Sequence, residues 1–133
     1  MPIEIFSLSR EMEKLYPDIR VQAIFEEFKS NNSAFVRRAM LTVTRFIGAE
    51  FAQDNVDYIR ESIKDQDEWV AYDAIWSLSE NNLLTANDYT TLLDYAESYS
   101  DLSLEELEQI SPKSADEYRN KIAAEALIKL ASK

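Results

Sequence analysis

Chemistry in this chain has to come from carboxylates, because the residues that most often carry it are missing. The sequence has no cysteine and no histidine. That excludes disulfides, thiolate nucleophiles, zinc sites built from Cys or His, the usual triads and the imidazole acid–base. The single glycine, Gly48, cannot build a phosphate-cradling loop of the GxGxxG or GxxxxGK kind. What remains is Asp, Glu, Lys, Ser, Thr and Tyr. Two carboxylate clusters have spacing suited to a hard cation such as Mg²⁺ or Ca²⁺. Glu105, Glu106 and Glu108 form one, and Asp65-Gln66-Asp67-Glu68 forms the other. The second lacks the glycine and the terminal glutamate of an EF-hand loop. In the first, Ser103-Leu-Glu-Glu106 spells a capping box, which commits Glu106 to starting a helix. Clusters like these are ordinarily helix starts or solvated faces. The expectation is therefore no catalytic residue, no metal, no cofactor and no enzymatic activity.

The same carboxylates make sense as a field. The chain carries 25 acids against 14 bases, for a formal charge of −11. No Lys or Arg occurs between Asp65 and Pro112, a stretch that holds twelve of the acids. The other thirteen meet all fourteen bases, so the excess is local. Some of these acids suit helix N-termini, where the dipole favours them: Asp67, Glu68, Asp88, Glu105 and Glu106. Others are expected to pair with Arg37, Arg38 and Arg45, and Asp73 needs such a partner because its helix is otherwise apolar. The remainder should form an exposed negative surface. Tyrosine beside acid suits a protein interface, since the ring supplies area and the charge steers encounter. The expected partner-binding residues are Asp88, Asp94, Tyr95, Glu97, Tyr99, Asp101, Glu105, Glu106 and Glu108.

The elements that must hold this surface are helices. At 133 residues and 46% hydrophobic composition, the length fits one globular domain over 1–133. One glycine and three prolines are too few for a β-rich fold with its many tight turns. Apolar residues recur at helical spacing over roughly 18–30, with Pro17 suited to the first turn, and over 34–47, closed by Gly48 as a C-cap. A third stripe, Phe51, Ala52, Val56, Ile59 and Ile63, predicts one helix over about 50–64. The segment over about 67–80 is apolar nearly all round, with a narrow polar strip at Asp73 and Ser77, and should be buried at the centre. Leu92, Leu93, Ala96 and Tyr99 predict a helix over about 86–100. Capping boxes at Ser103–Glu106 and Ser114–Glu117 open a short helix and the last one. The fold class is all-α, with about seven or eight helices as antiparallel hairpins, either a superhelix or a compact bundle. Residues 1–6 have neither the basic start nor the apolar run of a signal peptide, and no stretch reaches about 18 apolar residues. A cytoplasmic location, away from membranes, is expected.

Ile19-Arg20, Val36-Arg37 and Val70-Ala71 each open a helix, and Ala23, Met40 and Ala74 follow four residues later. Pro17-Asp18 precedes the first and Asp65-Gln66-Asp67-Glu68 the last. Over about residues 15–80 this pattern resembles HEAT and armadillo repeats, with Ala71 standing where those repeats have Arg. The resemblance implies stacked helical hairpins, a binding role and Asp–Arg ladders between neighbouring helices. In size and charge the chain also resembles bacterial immunity proteins that neutralise nuclease toxins. The functional expectation is an acidic inhibitor that binds a basic protein such as a nuclease toxin, as a monomer or a heterodimer with its partner. The alternative is a helical-repeat adaptor that takes a peptide or helix in an apolar groove. Direct nucleic-acid binding is disfavoured, because the field repels phosphate.

Overall fold

The computed structural model describes residues 3–132, with side chains from Ser7 onward. Among the described residues every regular element is helical. The helices are α1 (Ile3–Leu15), α2 (Ile19–Phe28), α3 (Ala34–Ile47), α4 (Ala49–Asp54), α5 (Val56–Ser62), α6 (Glu68–Glu80), α7 (Tyr89–Ala96), α8 (Leu104–Glu108) and α9 (Ala115–Ala131). Single 3-10 turns, Ala86–Asp88 and Glu97–Tyr99, flank α7. The fold is all-α. No described helix is long and apolar enough to cross a membrane. Met1 and Pro2, part of the stretch read for a leader, lie outside the described residues.

Local side chains set many of the boundaries. The first turn of a helix leaves backbone N–H groups without partners, and a short side-chain oxygen can take them. Asp18 accepts from Arg20 N at 2.8 Å, and Asp67 accepts from Trp69 N at 2.9 Å and Val70 N at 3.1 Å. Ser103 and Glu106 form the complete reciprocal box that the sequence spells. Ser114 takes Glu117 N, but the Glu117 carboxylate accepts from Lys113 N at 2.6 Å, so half of that box is displaced by one residue. Gly48 ends α3 and starts α4 at φ +122°, a backbone angle that a side chain disfavours.

Four sequence expectations need correction. Pro17 precedes the cap Asp18 and stands outside the helix. The single helix expected over 50–64 is two, α4 and α5, broken at Asn55. The Asn55 amide donates to Phe51 O at 2.9 Å and exchanges hydrogen bonds with Gln22 of α2, so a buried side chain competes for the carbonyls that would continue the helix. The helix expected over 86–100 shortens to α7, because Thr85 and Asp88 cap a tight turn ahead of it. Helix α1 falls where no helix was expected. Leu8, Met12 and Leu15 have the spacing, and Met12 is fully buried.

Packing runs from α1 to α3 to α6 to α9 to α7, with α5 against α6. Among the described residues there are two apolar clusters. The first joins Met12, Val21, Phe25, Ala39, Met40, Val43 and Phe51 of α1–α4, with Phe25 edge-on to Phe51 at 5.4 Å. The second is larger and includes Leu41, Ile59, Ile63, Ile75, Leu78, Leu92, Leu107 and Ala123. Helix α3 supplies side chains to both, and Tyr58 packs on both.

Candidate functional site

Three of the acids in the base-free stretch are neutralised by arginines from outside it. Arg37 reaches Asp65 at 3.0 Å, Arg38 reaches Asp73 at 2.7 Å, and Arg60 reaches Asp88 at 2.7 Å. Each pair ties an earlier helix to a later segment. Asp73 thereby has the partner its surroundings demanded. Burial raises its pKa from the ordinary value, and the Arg38 hydrogen bond pulls against that rise.

Asp88 does not belong to an exposed surface. Its side chain is 1% exposed, holds Arg60 through both oxygens and accepts from Thr85 N at 2.9 Å. The expectation failed because the acid that caps the turn is also the one the arginine reaches. Tyr95 and Tyr99 also turn inward. The Tyr95 hydroxyl donates to Ile63 O at 2.8 Å and its ring lies 4.2 Å from the Arg119 guanidinium. Tyr99 is half-buried against the larger cluster.

The other expected residues do reach solvent. Asp94, Glu97, Asp101, Glu105, Glu106 and Glu108 are all exposed. Among the described residues none of them has a Lys or Arg nitrogen within 4.0 Å. Glu106 doubles as the α8 cap, and the Ser103 backbone N–H lowers its pKa. Glu108 extends the field onto α9. There Glu125 is half-buried, and burial raises its carboxyl pKa while Lys121 opposes the rise and Glu108 adds to it. The apolar surface beside these acids comes from residues not assigned to it from sequence: Tyr89 is 53% exposed and Leu93 37% exposed. They lie one turn apart on α7, on a flank adjoining the buried Leu92 and Ala96, and that spacing was the available signal.

Among the described residues no three Asp or Glu side chains are placed to hold a metal ion, so Glu105, Glu106 and Glu108 do not converge. An open groove of about 800 Å³ lies beside the loops that follow α2 and α5. Part of its lining is internally engaged: Arg37 binds Asp65 and the carbonyls of Asn31 and Asn32, and Tyr58 donates to Lys29 O.

No family model, curated protein or solved structure matches this chain. The geometry therefore carries the functional argument.

Helix α6 holds a second surface that the sequence misassigned. Its polar strip is buried and part of its aromatic face is outside. Ser77 meets Thr44 of α3 at 2.8 Å and Asp73 meets Arg38, so α3 takes the polar residues inward. Trp69, Tyr72 and Trp76 then run along the outer edge, joined by Tyr118 of α9, with neighbouring ring centroids 5.1–6.0 Å apart. Arg38 covers Trp69 at 4.9 Å, and Arg45 lies 3.6 Å from the Trp76 ring and 4.3 Å from Phe46. Burial lowers the Arg45 pKa, with Asp73, Glu80 and Glu13 pulling it back. Its Nε–H is buried without an acceptor.

Proposed function

We propose that this protein is a non-enzymatic binding module, an acidic inhibitor of the immunity type that neutralises a basic protein such as a nuclease toxin. The observation that carries the reading is the set of six exposed carboxylates, Asp94, Glu97, Asp101, Glu105, Glu106 and Glu108, without a cation within 4.0 Å among the described residues. Uncompensated charge on one stretch destabilises a fold by self-repulsion, and an incoming cationic surface relieves it. Enzymes that act on nucleic acid present such a surface in the cleft that holds phosphate. Tyr89 and Leu93 add apolar contact area within the same stretch. Steering by the field speeds encounter, and the apolar contacts slow release.

The alternative is a helical-repeat adaptor. It is supported by a groove of about 360 Å³ whose lining includes Leu104, Ile122, Ala126 and Ile128. Salt separates the two readings. The chain, immobilised and exposed to proteins of its own cell at ~0.05 M and ~0.5 M salt, should retain a basic protein at the lower concentration and release it at the higher. Retention unaffected by salt would favour the apolar groove and contradict the inhibitor reading.

A further inference from the structure

The aromatic strip on α6 supports a conclusion independent of the acidic face. Two of its rings and the neighbouring Phe46 of α3 are left open to solvent: Phe46 is 60% exposed, Tyr118 37% and Trp76 36%. At ~200 Å² per ring this amounts to roughly 250 Å² of uncovered aromatic surface. Arg45 lies against two of these rings, and among the described residues no carboxylate oxygen is within 4.0 Å of its guanidinium. Glu80, at the end of the same helix, is exposed and likewise without a cation within that distance. It lies close enough to act electrostatically on Arg45. Asn81 Nδ2 donates to Thr44 O at 3.3 Å, which fixes the ends of α6 and α3 beside each other.

Such a strip satisfies neither a purely cationic nor a purely anionic partner, since Arg45 lies beside the carboxylates Glu80 and Glu13 that act on it. It is self-complementary. We propose that it is a homodimer contact, in which Trp76 and Phe46 of two copies pack across a twofold axis and Arg45 of each copy meets Glu80 of the other. A twofold contact uses every pairing twice, residue i on j and j on i, and that is what the adjacent Arg45 and Glu80 supply. The small ring area implies a weak, reversible dimer well below the ~800 Å² per partner of a tight one. The monomer expected from overall charge is then the dilute, low-salt state.

Sedimentation equilibrium of the whole chain tests this over a hundredfold range of protein concentration, at ~0.02 M and ~0.5 M salt. The average mass should rise from 15.4 kDa toward twice that value, more readily at high salt, where long-range repulsion is screened. Phe46→Ser, a change at an exposed position that leaves the core untouched, should abolish the rise. Arg45→Glu and Glu80→Arg should each remain monomeric alone and associate when mixed, because the mixture restores both pairs. A chain that stays monomeric throughout, or a Phe46→Ser variant that associates like the parent, overturns the proposal. If each charge variant fails alone and the mixture fails too, the twofold pairing is wrong.

Discussion

Asp88 and Asp94 are six residues apart and carry the same group, yet their surroundings give them different work. Asp88 is buried with Arg60 and the Thr85 N–H, whereas Asp94 stands in solvent. Replacing Asp88 with Ala should cost about 3 kcal/mol in chemical denaturation, the low end for a broken buried pair because Arg60 keeps some access to water. Asp94→Ala should stay within about 0.5 kcal/mol. Equal costs would contradict the assignment. Asp73 makes a prediction in pH. Burial raises its pKa in the folded chain, so between that value and the ordinary 3.8 the native state holds more proton than the unfolded one. Its carboxyl therefore adds stability as pH falls and removes it as pH rises. The stability of the parent relative to Asp73→Asn should shift in favour of the parent between pH 7 and pH 4. A shift the other way would mean that the Arg38 bond outweighs burial. The need of Asp73 for a partner was legible, because a lone acid among apolar neighbours must be paired. Which acids an arginine would reach was not, because Arg37–Asp65 and Arg60–Asp88 each join residues 28 positions apart, a distance that only the packing closes.

Helices were legible where periodicity and a cap agreed. The 34–47 stripe and its glycine match α3 and Gly48, and Ser103–Glu106 opens α8 as spelled. Gly48→Ala tests the cap: a Cβ there meets nothing within 4 Å, so the cost is the backbone angle alone, about 1–3 kcal/mol in thermal or denaturant unfolding. No loss would mean that the α3–α4 junction takes another conformation. Periodicity failed where a polar side chain interrupted it. Asn55 splits one apolar stripe into two helices, and nothing in that stripe records that Gln22 of α2 stands opposite to bind it. It misled again on α6. The helix apolar nearly all round does sit centrally, packed against α3, α5 and α9, but α3 brings Thr44 and Arg38 to its polar strip and leaves Trp76 at the surface. The number of apolar positions was readable. Which side its neighbours cover was not.

At the scale of the whole molecule, the expected acidic surface is smaller than the list of residues read for it. Asp88, Tyr95 and Tyr99 leave the proposed interface for the fold, Tyr89 and Leu93 enter it, and six of the seven expected carboxylates remain in solvent. A field built from several exposed charges acts mainly on the rate of encounter with a basic partner, since steering is long-range while release depends on short contacts. The measurement that bears most directly on this is the association rate constant with the captured basic protein. It should be taken for the parent and for a variant with Asp94→Asn, Glu97→Gln, Asp101→Asn and Glu105→Gln. All four sites are exposed, so the variant should fold as the parent does. The account predicts an association rate about tenfold or more slower for the variant at low salt, with a shallower salt dependence and a smaller change in dissociation. An association rate and salt slope equal to those of the parent would contradict it.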